Sequence, residues 1–223
     1  MKTIQQLIDE SLVRDKHIRS GKWSPSSFGR CFRNQYWNRK DEPQTNPPDE
    51  RTLRVFRAGN LFEDFVRELI VGNGTGWKYI GKDPIECDDV KGFGDLECDN
   101  EVADIKSQHS RAFWWMTKSK DIKKDKYPNW LQVMYYTREQ KKQFGRLVFV
   151  SKDDLCIQEY VQPLDHYWLL EIAKELATLR LLWKRQELPP AEPRCYFNTK
   201  GESNECKYCN WQDKCKEIEN AKT

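Results

Sequence analysis

Gly92-Phe93-Gly94-Asp95-Leu96-Glu97-Cys98-Asp99-Asn100-Glu101-Val102-Ala103-Asp104-Ile105-Lys106 is the stretch whose reading decides the fold. Asp99-Asn100 reads as the tight turn of a hairpin, because short Asx side chains tolerate positive φ. A two-residue loop there pairs Cys98 with Glu101 and, counting outward, Asp95 with Asp104. Residues directly opposed on one face have β-carbons about 4.5–5.5 Å apart. Lys106 shares the face of Asp104 by period-two alternation. Opposed like charges destabilise a sheet unless something cationic offsets them. The hairpin therefore predicts a divalent metal with Lys106 beside it. Against this stands a plain charged hairpin. Asp-x-Lys alone says little in a chain that is 33% charged, and a three-residue loop would turn Asp95 to the other face.

At 223 residues the chain suits one large domain, or one domain with an appendage. Its strongly negative mean hydropathy indicates a wet, charged surface. A net charge of +3 does not by itself imply nucleic acid. Met1–Ser11 is polar and unlike a signal peptide, and runs such as Leu147–Val150 are too short to span a bilayer. The expectation is a cytoplasmic protein with no membrane contact. In a reducing cytosol its eight cysteines favour metal ligation over disulfides.

Ile4, Leu7, Ile8 and Leu12 recur at helical spacing. Ser24-Pro25 predicts a helix start, with Phe28, Cys31, Phe32 and Tyr36 along one side. A proline-rich loop over Asp41–Glu50 precedes a third helix, Arg51 to Val71, which carries Glu63. The glycines at 72, 74 and 76 end that helix. No Gly-Lys-Ser/Thr follows them, which excludes a phosphate loop. Strands are predicted at Trp77–Ile80, Pro84–Cys87, Lys91–Cys98 and Glu101–Ser107. A helix runs from Pro128 to about Gln140, with strands at Gly145–Ser151 and Leu155–Val161. Asp165 caps a long helix that Pro189-Pro190 terminates. The fold class is α/β, a central mixed sheet flanked by helices. The chain divides into an N-terminal helical segment (1–50), a core (51–188) and a cysteine-rich tail (189–223).

Cys206, Cys209 and Cys215 place three thiolates within ten residues and need a fourth ligand. Cys195 would complete a local zinc knuckle; Cys31 is distant in sequence, on a segment able to pack beside the tail. Zinc and an iron–sulfur cluster both remain open on spacing alone. Cys87, Cys98 and Cys156 fall in strand-like runs and read as small buried hydrophobes. Gln132 and Tyr136, four apart, share a helix face, though a polar helix edge explains such a pair equally. Glu63 in isolation is one charge of Glu63-Asp64. Lys118, Lys120, Lys123, Lys124 and Lys126, flanked by Phe113, Trp114, Trp115, Tyr127 and Trp130, suit single-stranded nucleic acid: lysines neutralise phosphates and aromatic faces stack bases. A solvated lysine loop beside core aromatics is the simpler alternative.

Together these residues resemble the PD-(D/E)XK nuclease superfamily in its RecB-like iron–sulfur branch, typified by the CRISPR-associated "Cas-four" family and the AddB nuclease domain. Ser24-x-Ser26-x-Phe28-x2-Cys31-x4-Tyr36 resembles the N-terminal cluster-ligand helix of that branch. Gly94-Asp95 and Asp104-Ile105-Lys106 fit the metal-binding aspartate and the acidic-x-Lys motif. Gln132-x3-Tyr136 fits its Gln-x3-Tyr motif, and the cysteine triplet fits its tail. The resemblance implies a restriction-endonuclease-like core. It also implies a 4Fe-4S cluster on Cys31, Cys206, Cys209 and Cys215, leaving Cys195 free. Glu63, Asp95, Asp104 and the Ile105 carbonyl would bind magnesium or manganese, with Lys106 acting on the attacking water. Glu63 stands where the branch usually has histidine; an oxygen ligand suits hard magnesium at least as well. The implied activity is metal-dependent DNA exonuclease action in recombination, repair or DNA-end processing. The implied partners are DNA and recombination, replication or CRISPR-type proteins. A non-catalytic DNA-binding module of the same fold and a zinc-knuckle adaptor are the alternatives.

Overall fold

A computed structural model describes residues 2–13, 20–197 and 201–221. Met1 and the parts of the terminal segments at 14–19, 198–200 and 222–223 lie outside the described residues. In chain order the elements are α1 (Ile4–Leu12), α2 (Phe32–Lys40), α3 (Glu50–Ile70), β1 (Lys78–Tyr79), β2 (Ile85–Cys87), β3 (Val90–Gly92), β4 (Leu96–Glu97) and β5 (Glu101–Gln108). There follow α4 (Ser110–Thr117), α5 (Ile122–Asp125), α6 (Tyr127–Glu139), β6 (Phe144–Ser151), β7 (Ile157–Pro163), α7 (His166–Arg185) and α8 (Gln212–Asn220).

The main sheet has the order β1-β4-β5-β6-β7, and β2 with β3 forms a separate hairpin. β5 and β6 run parallel while the other neighbours are antiparallel, so the sheet is mixed. A parallel pair needs a long crossover; α4, α5 and α6 supply it. α6 is apolar on nearly every side, as an internal helix must be, and Trp130 through Thr137 are all buried. Pro128 starts it in the first turn, where a missing N–H does no harm.

The alternation of β5 separates two cores. Val102 faces α6 and α7, packing with Trp130, Leu131 and Trp168. Ala103 and Ile105 face the other way, with Val66 of α3 and Val148 and Val150 of β6. Burying one such side chain contributes about 1.5–3 kcal/mol. By the same alternation Asp104 and Lys106 lie on the α6 side of the strand.

Several boundaries differ from the sequence reading. Pro25–Ser27 is a short 3-10 turn and not the start of α2. Gly29 interrupts it at φ +74, where a side chain would also press on Tyr127 and the Pro128 backbone. Helix α2 begins only at Phe32, with Cys31 at its N-cap. The expected strand Lys91–Cys98 is two, β3 and β4, in different sheets. It breaks at Asp95, whose backbone carbonyl accepts from Ile80 N. The Asp99-Asn100 turn keeps the expected register without positive φ at either residue. Asn100 is fixed instead by Gln143 and Phe144, whose N–H groups donate to its carbonyl. Helix α7 ends at Arg185, ahead of the prolines, on a left-handed Gln186. Helix α4 was not foreseen. Cys87 and Cys98 are half-buried and Cys156 is exposed, so the expected burial of all three is corrected. Among the described residues no helix is long and apolar enough to cross a membrane.

Candidate active site

The hairpin delivers the register that the carboxylates require. Leu96 pairs with Ala103 and Glu97 with Val102, and Cys98 N donates to Glu101 O at 2.9 Å. Asp95 lies one residue outside β4, level with Asp104. Its Oδ2 accepts from the Ile105 N–H at 2.7 Å. The Ile105 carbonyl, belonging to the same residue, projects to that same edge of β5. Lys106 Nζ donates to Asp104 Oδ1 at 2.7 Å, and its side chain is still 28% exposed. Asp104 is buried, and its second oxygen, Oδ2, has no hydrogen-bond partner.

Burial raises the Asp104 carboxyl to about 7; Lys106 opposes this and the Asp95 charge adds to it. Glu63 is likewise pushed up to about 7, first by burial and then by Asp95. Asp95 is raised by burial, against the pull of Lys106 and the Ile105 N–H. Burial alone would lower the Lys106 ammonium, but Asp104, Asp95 and Glu63 outweigh it and raise its pKa. Three acids thus share one ammonium in a desolvated place. Glu63 reaches them from the middle of α3. That helix packs on β5 with Gly59 beside Ser107, where a β-carbon would still fit at 3.7 Å from the Ser107 hydroxyl.

Gln132 and Tyr136 are buried on α6. The Tyr136 hydroxyl engages Gln132 and the Phe93 backbone. Burial raises its phenol, and Asp104 and Asp95 add to the rise. The helix therefore brings Tyr136 near the carboxylates, with Gln132 held on its hydroxyl. Gly92 was missed by the sequence reading. A β-carbon there would sit 2.4 Å from the Tyr136 hydroxyl and 2.8 Å from Pro25 Cδ. Its signal was its place in Gly92-Phe93-Gly94, two small residues bracketing the approach to Asp95. Gln108 was also passed over as a site residue, and Lys126 was read only as one of the lysines of the nucleic-acid segment. Gln108 continues the row of Asp104 and Lys106, and its Oε1 accepts from Lys126 Nζ at 3.2 Å.

The cysteines of the tail converge with the N-terminal segment. Cys31, Cys206, Cys209 and Cys215 line one cavity of about 270 Å³. Cys195 is buried outside that wall. Docking is apolar at Trp211, which packs with Tyr36 and Trp37. It is polar at Glu205, whose Oε1 accepts from Cys31 N at 2.6 Å and whose Oε2 accepts from Arg194 N at 2.8 Å. Glu175 accepts from Gly29 N, Gln35 and Arg194. Buried carboxylates satisfied in this way make a rigid latch.

No group of three or more His, Cys, Asp or Glu among the described residues is gathered closely enough to hold a metal ion. The donor chemistry nevertheless fits. A buried carboxylate oxygen without a partner suits a hard cation, and four thiols on one cavity suit zinc or an iron–sulfur group.

The lysine–aromatic segment divides. Trp114 and Trp115 are 52% and 62% exposed, with rings 4.8 Å apart. Lys118 Nζ lies 5.8 Å from the Trp114 ring. Lys120 and Lys124 are exposed. Lys123 turns toward Tyr167 and Trp168 of α7. Phe113 and Trp130 are core residues, and the Tyr127 hydroxyl is bound to Glu171.

No protein-family model and no curated protein sequence matches this chain. Solved structures do. The crystal structure of SSO0001 superposes with a TM-score of 0.58 at 17% identity, covering 94% of each chain. The crystal structure of LHK-Exo, an alkaline exonuclease from Laribacter hongkongensis, gives 0.53 at 15% identity, over 75% of this chain and 90% of that one. Its complex with dAMP gives 0.54 over the same shares. At such identities the likeness is one of fold.

Proposed function

We propose that this protein is a metal-dependent DNA exonuclease of the PD-(D/E)XK type. It would hydrolyse phosphodiesters at DNA ends or in single strands, in recombination, repair or end processing. One observation carries the reading: Asp104 is buried with one oxygen on Lys106 and the other on nothing. The fold shared with an alkaline exonuclease supports it. The core at 51–188 would hold the reaction, and the terminal segments would hold a second inorganic group.

Asp104 Oδ2, the free side of Asp95, Glu63 and the Ile105 carbonyl would hold magnesium or manganese. The chemistry such an ion supplies is activation of water and stabilisation of charge on the phosphodiester. Lys106, anchored by Asp104 and partly open to solvent, orients that water and faces the negative phosphate. Tyr136 and Gln132 hold the wall of the site through Phe93. Trp114 and Trp115 offer stacking faces to unpaired bases, with Lys118 beside them and Lys120 and Lys124 exposed further along the same segment. A 4Fe-4S cluster on Cys31, Cys206, Cys209 and Cys215 would tie the two ends of the chain. The test uses end-labelled single- and double-stranded DNA with manganese or EDTA. Cleavage with manganese and none with EDTA is expected. Binding without cleavage, in the presence of manganese, would leave a DNA-holding module instead.

A further inference from the structure

The first turn of α2 brings more to the thiol cavity than the Cys31 sulfur. Cys31 is its N-cap, and the backbone N–H groups of Arg33 and Asn34 lie toward the Cys31 sulfur. The side chains of the same two residues reach other sulfurs. Arg33 Nη1 lies 3.2 Å from Cys215 Sγ, and Asn34 Nδ2 lies 3.4 Å from Cys209 Sγ. The Arg33 guanidinium is 1% exposed. Its Nε donates to Pro189 O at 2.7 Å, which fixes its direction. Its ion-pair partner Glu219 is 42% exposed, so that carboxylate is screened by water while the guanidinium is not.

Beyond its 2.8 Å pair with Glu219 and its bond to Pro189 O, the guanidinium gains only a weak contact from a neutral Cys215 thiol. Aimed at thiolates holding an inorganic group of net negative charge, it is a counter-cation. Net charge and hydrogen bonds to sulfur are two of the quantities that set an iron–sulfur potential.

We propose that the Cys31–Asn34 turn tunes the group it helps to bind: Arg33 and Asn34 stabilise its reduced, more negative state and raise its reduction potential. Arg33 and Asn34 are positioning and tuning residues, and neither is a ligand. The inference rests on the iron–sulfur reading of the cavity and goes beyond a purely structural staple.

The test uses the full chain purified without oxygen, with iron and sulfide assayed first and the potential then titrated with dithionite and mediators. In Arg33→Gln the reduced-to-oxidised ratio at the wild-type midpoint should fall at least tenfold, about 59 mV for one electron. Arg33→Lys should restore most of it by returning the charge. Asn34→Leu, which keeps volume and removes one donor, should shift the ratio in the same direction by about threefold on the same scale. Should Arg33→Gln fail to fold, Asn34→Leu decides. Wild-type iron content with unmoved potentials in the folded variants would overturn the tuning role alone. A wild-type chain holding zinc and no iron would overturn the iron–sulfur reading, and the tuning role with it.

Discussion

The carboxylate site and the thiol cavity solve opposite problems. Asp95, Asp104 and Lys106 come from one short hairpin, so the backbone brings them together and their chemistry strains it. The cavity gathers Cys31 with residues of the tail; Cys31 N and its acceptor Glu205 are 174 positions apart. Its chemistry is easy and its assembly is hard. At the first place the protein has like charges in excess. At the second it has a satisfied network around Glu175 and Glu205. Local sequence forces contact and leaves electrostatics unresolved, whereas long-range contact needs added glue.

The largest expected effect breaks the first site and leaves the second alone. Asp104→Ala or Lys106→Ala should reduce metal-dependent DNA cleavage at least about a hundredfold, the scale of losing one preorganised electrostatic contact. Bound iron should not fall in either variant, whereas the metal-free melting temperature should fall in Lys106→Ala, which leaves the buried Asp104 without its partner. Loss of both activity and iron would show that the two regions are one cooperative unit.

The converse variant is Glu205→Gln. It removes the charge that three backbone N–H groups address, those of Cys31, Arg194 and Cys195. Weakened buried bonds of this kind cost about 1–3 kcal/mol, read as a Tm fall of roughly 5 °C for a chain of this size. Iron loading should drop with it. Activity per folded molecule should stay, and an unchanged Tm would reduce the latch to a surface contact.

A subtler variant sharpens the contrast. Asp104→Asn keeps the acceptor for Lys106 and removes the ionisable proton. The Asp104 carboxyl is raised from 3.8 to about 7 in the folded protein. Its ionisation therefore favours the unfolded chain, with a penalty absent below about pH 4 and complete above about pH 7. Without metal, Asp104→Asn should match the wild type in Tm near pH 4. It should exceed the wild type by up to about 5 °C above pH 7, from a gain of a few kcal/mol at most. Manganese should reverse the order, because it stabilises the wild-type site by binding. A metal-free difference that does not vary with pH would remove the electrostatic account.

The smallest effect concerns the approach to the site. Replacing Lys120, Lys123 and Lys124 with alanine should weaken DNA binding and lower its salt slope, by up to about 0.7 per lost phosphate contact on single strands. Lys123 faces α7, so Lys123→Ala alone should change little. Equal effects from Lys123→Ala and Lys124→Ala would place the strand's path over α7.

The hairpin was legible because its register follows from a two-residue loop, and the side-chain period of a strand leaves no freedom after that. The reason offered for the turn was wrong, since Asn100 is held by β6 and not by a left-handed backbone. Glu63, Gln132 and Tyr136 were legible only as members of a resemblance, because helical spacing says which face they share and not what that face meets. Gly92 was invisible for the same reason: its need is the Tyr136 hydroxyl, 44 positions on. The α2 boundary failed because Gly29 breaks a turn that Ser24-Pro25 begins well. Glu205, Arg33 and Asn34 look like ordinary surface residues until the tail docks.

The burial of α6 has a mechanical consequence. A helix enclosed by β5, β6 and α7 has no direction in which to swing, so the wall bearing Gln132 and Tyr136 is fixed. Across the site, α3 buries Val66 alone of its 21 residues and exposes Phe56, Leu61, Phe65 and Leu69. Its amides should exchange by local opening, while those of α6 wait for global unfolding. By that measure the helix carrying Glu63 is the less stable wall of the site and α6 the more stable one.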